Sequence, residues 1–213
     1  MTESTPNQAI LKGSKTLAQV RMAFIMLTLF VLVLLSLLLR LVFFLFPRHL
    51  FLRFNVRFII YPFSRLLMWI VGVKLVVKGK MPSSRHLIVS NHQGILDSLL
   101  HMAISPCMVI SNMLIRNMKV IGSVMELLGF VFVDRSRRMS IVELLQPATS
   151  MITQSKVNMS FFPEGKSNNG VELLPFHAPF FKIAIDSDSA VQPIAFRWTH
   201  ANGQELSKEQ RIT

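Results

Sequence analysis

Cysteine, acidic residues and charge in general are scarce in this 213-residue sequence. Cys107 is the single cysteine, so an intrachain disulfide is impossible, and the disulfide bonds that would favour a secreted protein are absent. Charged residues make up only 16% of the chain and hydrophobic residues 51%. That balance is too apolar for a disordered chain and unusual for a freely soluble one, so a membrane has to be considered first.

The positive charge lies in the more apolar part of the chain. Lysine and arginine number 23 against 11 aspartate and glutamate, for a formal net charge of +12. Residues 1–96 contain twelve of the basic residues and one acid, Glu3, whereas residues 97–213 are almost neutral. This overlap favours an anionic lipid surface over a nucleic acid, because nucleic-acid-binding proteins carry basic residues on a polar face.

An uncharged run of eighteen residues extends from Met22 to Leu39. As a helix it would reach roughly 27 Å, about one hydrocarbon thickness, so the sequence predicts a membrane anchor. The apolar run resumes after Arg40 and stops at Pro47, which also allows a longer, tilted helix. A cleaved signal peptide is the alternative, but no small-residue cleavage site follows the run.

The next segment, Phe51 to Val73, has the pattern of an amphipathic helix lying on the membrane surface. Its polar stripe recurs at every fourth position: Arg53, Arg57, Tyr61 and Arg65. Pro62 is expected to kink or divide this helix. A second span that forms a hairpin with the first is the alternative, and the excess of positive charge after the first segment favours a cytoplasmic main domain.

Beyond Gly72 short β-rich runs alternate with longer mixed segments, which predicts an α/β fold with a mixed, mainly parallel sheet flanked by helices. The predicted strands are 74–78, 86–89, 108–111, 130–133, 159–162 and 191–196, and the predicted helices are 95–104, 119–128, 140–155 and 180–186. Residues 199–213 turn polar and contain no evident closing element, as in a short tail or a truncated domain. The predicted organisation is a polar basic tail (1–21), a membrane anchor with an interfacial helix (22–73) and a globular α/β domain (74–213).

Three polar clusters follow predicted strands. In the first, SNHQGILDSLL, His92 lies on the turn before a helix and Asp97 about one helical turn onward. At this spacing the carboxylate can accept the Nδ1 proton and leave Nε2 as a base. A histidine at a helix start is more often a cap or a satisfied core residue, so spacing alone does not establish catalysis.

In the second cluster, GFVFVDRSRR, Arg135 directly follows a strand, where an arginine can hold a phosphate; an ordinary Asp/Arg surface network is the alternative. In the third, MSFFPEGKSNNG, Glu164 and Gly165 form a tight turn whose backbone amides can cradle an anion or a polyol. Because the carboxyl ends of parallel strands meet at one rim, the three clusters are expected to converge.

With these clusters in this order, the chain resembles the glycerolipid acyltransferases typified by bacterial 1-acylglycerol-3-phosphate acyltransferase. The resemblance extends over roughly residues 74–198. His92 and Asp97 match the NHxxxxD motif of that family. The other matching blocks are Phe132–Arg135, Phe162–Gly165 (FPEG), Leu173–Phe176 (LLPF) and Val191–Ile194 (VQPI).

Several positions depart from the family pattern. Lys166 and Ser167 replace a threonine and an arginine that are commonly associated with the acceptor phosphate. The basic residues that usually follow LLPF are absent, and Pro179 replaces a usual glycine. The segment VQPIAFRWTHANG is more similar to the branch that acylates lyso-ornithine lipid.

The resemblance implies transfer of a fatty acyl group from acyl-CoA or acyl carrier protein to a lysolipid hydroxyl, with 1-acyl-sn-glycerol-3-phosphate as acceptor and phosphatidate as product. It implies His92 and Asp97 as catalytic residues, with backbone amides near the helix start as candidates for binding the oxyanion. The implied substrate-binding residues are Asn91, Arg135, Glu164, Gly165 and Lys166. No metal, cofactor or nucleic acid is expected, and the implied location is the cytoplasmic face of the inner membrane.

Two other functions compete with this one besides a lyso-ornithine lipid acceptor. A non-catalytic lipid-binding protein could keep the same fold, and the altered third block favours it. A serine or cysteine lipid hydrolase fits poorly, because the sequence has no G-x-S-x-G motif and Cys107 has no basic neighbour.

Overall fold

The computed structural model describes residues 15–94, 96–133, 141–168, 172–201 and 204–205. The chain begins there with α1 (Lys15–Val42), a 28-residue helix that carries no acidic residue in its first turn. By length and composition alone, α1 and the helical stretch Arg48–Val71 are each able to cross a membrane. Most apolar side chains of α1 are exposed, as a helix in contact with lipid requires.

One narrow stripe of α1 packs against the rest of the protein. Thr28, Leu32 and Ser36, four residues apart, are its buried positions. Ser36 donates a hydrogen bond to Oδ1 of Asn55 at 2.9 Å, and Nδ2 of Asn55 donates to the carbonyl of Leu128 at 3.0 Å. These buried bonds fix α1 against the domain, so the predicted anchor is also part of the folded unit.

The stretch after α1 is one continuous helix with an irregular centre. It consists of α2 (Arg48–Phe54), a π-helical segment (Asn55–Ile60) and α3 (Tyr61–Val71). Pro62 stands in the first turn of α3, directly after the π-helical segment. The wider turn absorbs the missing backbone donor, which is why the expected division at Pro62 takes this form. Arg53, Arg57 and Arg65 are exposed.

Five parallel strands form the central sheet. They are β1 (His86–Ser90), β2 (Cys107–Asn112), β3 (Val131–Val133), β4 (Asn158–Phe161) and β5 (Ala190–Ile194), in the order β3-β2-β4-β1-β5. Each of the four pairings is parallel. The predicted α/β class with a mainly parallel sheet is confirmed. A separate short antiparallel pair joins β6 (His200–Ala201) and β7 (Gln204–Glu205).

Helices connect the strands and cover the sheet. They are α4 (Leu96–Ile104), α5 (Met113–Arg116), α6 (Lys119–Leu128), α7 (Ile141–Thr153), a 3₁₀ turn (Ala178–Phe181) and α8 (Lys182–Ser187). The predicted helices agree with these bounds to within two residues or so at each end. The central strands are buried on both faces, since Leu87, Ile88 and Met159 are fully inaccessible, as expected for a parallel sheet between helices.

The predicted strand 74–78 is wrong. Residues 73–78 are irregular in the structure, although the exposure of residues 73–76 alternates as a strand's would; residues 76–78 are all exposed. An alternating pattern becomes a strand only where another strand offers its edge. In the described residues β1, the strand that follows this segment, already has β4 on one side and β5 on the other, and the segment pairs with none of the described strands.

Candidate active site

Two of the three predicted polar clusters lie at the same rim of the sheet. His92 follows the carboxyl end of β1, and Glu164 follows that of β4. These strands are neighbours in register, with Val89 opposite Phe161. Parallel strands deliver the residues after them to one edge, so the two turns meet. Arg135, from the second cluster, lies outside the described residues.

His92 and Asp97 are in direct contact. The distance from Nδ1 of His92 to Oδ2 of Asp97 is 3.0 Å. Asp97 lies in the first turn of α4 and is fully buried, while the side chain of His92 is 19% exposed. This geometry assigns the proton on Nδ1 to the hydrogen bond with the carboxylate and leaves Nε2 as the basic nitrogen.

Asp97 is held by further donors. The backbone N–H groups of Gln93 and Gly94 both donate to Oδ2, and Nε1 of Trp198 donates to Oδ1 at 3.4 Å. Burial by itself raises the pKa of Asp97, but the hydrogen bonds from His92 and from the two amides outweigh it and lower the pKa below its ordinary value. The carboxylate is therefore ionised at neutral pH.

The same contacts correct one expectation. Backbone amides at the start of the helix were candidates for stabilising an oxyanion. Those of Gln93 and Gly94 are occupied by Asp97 and serve to orient the carboxylate instead.

Glu164 holds the backbone of His92. It is only 3% exposed, and its Oε1 accepts the backbone N–H of His92 at 3.2 Å. Its Oε2 accepts the backbone N–H of Leu174 at 3.0 Å and the side-chain amide of Asn168. The backbone N–H of Asn168 in turn donates to the carbonyl of His92 at 2.9 Å. Both backbone groups of His92 are thus tied to the loop after β4.

This arrangement gives Glu164 a positioning role, whereas the resemblance implies contact with substrate, which stays a prediction. Asn91 is similarly engaged: its Nδ2 donates to the carbonyl of Phe196 at 3.0 Å, and its Oδ1 accepts the N–H of Phe196 at 2.7 Å. Gly165 adopts φ 75°, which favours glycine, and lines the cavity beside His92. Lys166 is exposed at the same loop.

A stack of rings supports the imidazole of His92. Its ring centroid lies 3.9 Å from that of Phe162 at an interplanar angle of 12°. Phe162 also stacks on His101, with 4.9 Å between centroids and 9° between planes. His101 is fully buried, and its Nε2 lies 2.8 Å from Oγ of Ser90. Contacts on the face and at Nδ1 together restrict both tilt and rotation of the His92 ring.

Burial lowers the pKa of His101 to about 3, although the charge of Asp97 partly opposes this shift. His101 is therefore neutral at physiological pH and cannot compete as a base. Sequence reasoning missed its supporting role and that of Trp198. The available signal was the spacing of Asp97 and His101, which are four residues apart and so lie on one face of α4.

An apolar cavity of about 910 Å³ has His92 in its lining. Phe162 and Gly165 also line it, and much of the remaining wall is helical. The wall residues contributed by α1 are Met26, Leu29, Phe30, Leu32 and Val33. A site that joins a base to a large apolar cavity suits a substrate with a reactive polar end and a hydrocarbon chain.

Cys107, by contrast, is fully buried. Burial raises the pKa of its thiol to about 12, with only a small opposing effect from Ser160, so the thiolate is not formed at physiological pH. Of the residues that the structure describes, no group of three or more His, Cys, Asp or Glu is placed to hold a metal ion.

Comparisons with known proteins agree on the domain. A family model described as Acyltransferase matches residues 73–197. The chain is 33% identical over 122 residues to the 1-acyl-sn-glycerol-3-phosphate acyltransferase of Neisseria gonorrhoeae, covering 57% of this chain and 48% of that one. It is 28% identical over 152 residues to the human 1-acyl-sn-glycerol-3-phosphate acyltransferase alpha, covering 68% and 52%. The chain thus spans about half the length of the curated relatives it matches.

The fold has a counterpart among solved structures. The crystal structure of the 1-acyl-sn-glycerophosphate acyltransferase PlsC from Thermotoga maritima superposes with a TM-score of 0.56. The superposition covers 81% of this chain and 73% of that one at 20% sequence identity, which shows a shared fold.

Proposed function

The chain belongs to the acyltransferase family, and on that premise we propose that it transfers a fatty acyl group from an acyl thioester to the hydroxyl of a membrane lysolipid. The observation that carries this proposal is the contact between Asp97 and His92, which lines a large apolar cavity. The acceptor that the relatives' names support best is 1-acyl-sn-glycerol-3-phosphate, which would give phosphatidate.

The reaction requires a base on the enzyme to deprotonate the acceptor hydroxyl, and it does not require an enzyme nucleophile. A thioester already carries a good leaving group, since a thiol has a pKa of about 8.5. Nε2 of His92 removes the proton from the acceptor hydroxyl while the oxygen of that hydroxyl attacks the thioester carbonyl carbon. The C–S bond then breaks, the sulfur leaves with a proton returned from the imidazolium, and the ester remains. General base catalysis of this kind contributes roughly 10² to 10⁴ in rate.

Asp97 supports each protonation state of His92. Before reaction it fixes the tautomer through Nδ1, and during proton transfer its negative charge stabilises the imidazolium. Its lowered pKa keeps it ionised, and its burial keeps water from competing for the hydrogen bond. The pair therefore acts as one proton acceptor.

The cavity provides for the acyl chain. Its volume, about 910 Å³, is at the upper end of the range for small-molecule sites, roughly 300–1,000 Å³. A hydrocarbon chain placed in it would lie between α1 and the domain, with its carbonyl carbon next to His92. The donor is acyl-CoA or acyl carrier protein, and no metal or further cofactor enters the scheme.

The exposed apolar surface of α1 supports a membrane location. Because α1 packs along the domain, the catalytic rim and the membrane surface are close together, as a lysolipid acceptor requires. We place the domain on the cytoplasmic face of the inner membrane, where the basic residues that follow α1 would meet anionic headgroups. Protease digestion of inverted membrane vesicles, but not of right-side-out vesicles, should cleave the domain.

A lyso-ornithine lipid is the second candidate acceptor. Lys166 and Ser167 stand where the family usually has residues for the acceptor phosphate, and this difference favours an acceptor without a phosphomonoester. A lipid-binding protein of the same fold without activity would keep the cavity but would tolerate loss of His92.

One experiment tests the three possibilities. Membranes that contain the protein are incubated with labelled acyl-CoA or acyl carrier protein and a panel of lysolipids that includes lysophosphatidate and lyso-ornithine lipid. His92→Ala should abolish transfer, while His86→Ala, the same change at the opposite end of β1, should retain it. Full activity in purified His92→Ala would end the proposal, and the labelled product identifies the acceptor.

A further inference from the structure

A second cavity, of about 400 Å³, lies beside the edge strand β3. It is enclosed by α2, by the end of α6 and by α7. β3 stands three places from β1 in the sheet, which separates the cavity from the catalytic turn by roughly 14 Å at the usual strand spacing. Among the described residues, its lining includes none of His92, Asp97 and Glu164.

The lining carries a surplus of positive charge. Arg48 and Arg116 both line it, as does His49, which follows Arg48 in the sequence. Arg116 is paired with Glu126, with 2.9 Å from Nη2 to Oε1. Arg48 has no acidic partner within the part of the chain that the structure describes. Because the lining has two arginines and only one acid, a positive charge remains in the cavity that can bind an anion.

Neutral polar groups complete the wall. Gln146 and Ser150 of α7 and Gln154, directly after its end, line the cavity and carry amide and hydroxyl groups. Such groups suit a hydroxylated or ester-bearing ligand attached to the anion.

Both arginines adjoin strongly exposed apolar side chains. Phe44 is 79% exposed and Leu45 88%, just before Arg48. Leu114 is 73% exposed and Met118 50%, on either side of Arg116. Cations beside apolar side chains of such exposure are typical of proteins at a bilayer surface, where the cation lies at the phosphates and the apolar groups among acyl chains.

We propose that this cavity binds the headgroup of an anionic phospholipid of the surrounding membrane. Arg48 and Arg116 bind the phosphate, the side chains of α7 bind the glycerol part, and the acyl chains run along the exposed apolar residues on both sides. Inorganic phosphate would bind the two arginines in the same way, but it has no glycerol or acyl chains to contact the rest of the site. The site is distinct from the catalytic one and takes an intact lipid that is not consumed.

The test measures binding to the full chain purified in a non-ionic detergent. The probes are dihexanoyl phosphatidylglycerol, dihexanoyl phosphatidylcholine and inorganic phosphate, and the readout is the shift of the thermal unfolding midpoint with probe concentration. We expect a saturable shift with the anionic lipid and a much weaker response to the other two. An equal response to phosphatidylcholine, or to phosphate, overturns the assignment to an anionic lipid.

A charge-matched pair of variants locates the site. Arg48→Gln with Arg116→Gln should weaken binding of the anionic lipid by about tenfold or more, which corresponds to about 1.4 kcal/mol. Arg53→Gln with Arg57→Gln removes the same charge from exposed positions further along the same continuous helix, outside the cavity lining, and should change the Kd by less than about twofold. Equal losses in both pairs would show general attraction and overturn the proposal.

Two further variants keep the test independent of folding and of catalysis. Gln154 is exposed, so Gln154→Glu and Gln154→Lys should both fold; the first should weaken binding and the second should strengthen it. His92→Ala should bind the anionic lipid as the unmodified chain does. If His92→Ala loses binding, or if the two Gln154 variants behave alike, the lipid is not in this cavity.

Discussion

Glu164→Gln separates a positioning role from contact with the acceptor. The carboxylate accepts three hydrogen bonds, from the backbone N–H of His92 and of Leu174 and from the side-chain amide of Asn168. Glutamine keeps the shape but has one acceptor oxygen and one NH₂ group. Whichever way the amide turns, its NH₂ faces a donor. The favoured orientation keeps the oxygen at the Oε2 position, where two donors meet, and puts the NH₂ against His92.

The magnitude follows from that mismatch. A buried donor left without an acceptor costs about 1–3 kcal/mol in stability. The NH₂ of the new glutamine and the backbone N–H of His92 repel each other, so the backbone of His92 is expected to move away. A misplacement of about 1 Å can cost on the order of 10² in rate. We therefore expect kcat to fall by roughly 10- to 100-fold. The KM for the lysolipid should stay within about twofold, because uniform binding of the acceptor is not removed.

Initial rates over a range of lysolipid concentrations check this prediction. Glu172→Gln is the matched control, because it removes the same charge from an exposed position of the same loop and should leave both constants unchanged. If Glu164→Gln raises KM while kcat is preserved, Glu164 contacts the acceptor, as the family resemblance implies, and the positioning argument is refuted.

Three further predictions concern the groups around the base. Asp97→Asn should lower kcat by about 10² to 10⁴ in the acyl-transfer assay, because the imidazolium loses its counter-charge; a loss below tenfold would contradict the role of the pair. His101→Gln should flatten the loss of stability on acidification, measured by denaturant unfolding at several pH values. In the unmodified protein the unfolded chain takes up a proton near pH 6.5, but folded His101 does so only near its lowered pKa of about 3, so stability falls as pH drops through that window. Asn55→Ala should destabilise the protein by about 1–3 kcal/mol, because it leaves the Leu128 carbonyl buried without its donor; unchanged thermal unfolding in detergent would show that α1 is not fixed by this bond.

Local patterns were enough to predict most of the architecture. Period-two apolar runs gave five of the strands, and turns with glycine, such as the end of α6 at Gly129, marked where helices stop. The spacing of His92 and Asp97 was enough to expect that they could meet, because a residue on the turn before a helix and one in its first turn can lie close together. These features depend on neighbours within a few residues, which a sequence displays directly.

Features that depend on distant partners were not predictable in the same way. Residues 74–78 have a strand-like composition, but they pair with none of the described strands, and β1, which follows them, already has a neighbour on each side. From the sequence, Glu164 is expected to be a loop carboxylate that contacts substrate. Only the pairing of β1 with β4 shows that its carboxylate binds the backbone of His92 instead. The role of His101 depends on its contact with Phe162, sixty-one positions away in the sequence, and local spacing does not predict such a contact.

The first helix gave a mixed outcome for a similar reason. Its uniformly apolar sequence predicted contact with lipid, in agreement with its exposed surface. The side that packs on the domain is marked only by two small polar residues eight positions apart, Thr28 and Ser36, with Leu32 midway between them. Such a stripe in an apolar helix is typical of helix packing, where small side chains allow close approach and polar ones bond across the interface.

The contacts of His92 also bear on acceptor choice. Its backbone is held by Glu164 and Asn168, its Nδ1 by Asp97 and one ring face by Phe162. Residues so engaged orient the base in the same way whatever hydroxyl it deprotonates, because none of these bonds depends on the acceptor's headgroup. Discrimination between headgroups therefore falls to side chains that are not used to hold the base. Lys166 is such a residue, exposed at the loop after β4, and Lys166→Ala should alter the preference between lysophosphatidate and lyso-ornithine lipid, measured as the ratio of kcat/KM values, more than it alters the rate with either one at saturation. An unchanged ratio would assign the selection to other positions on the rim.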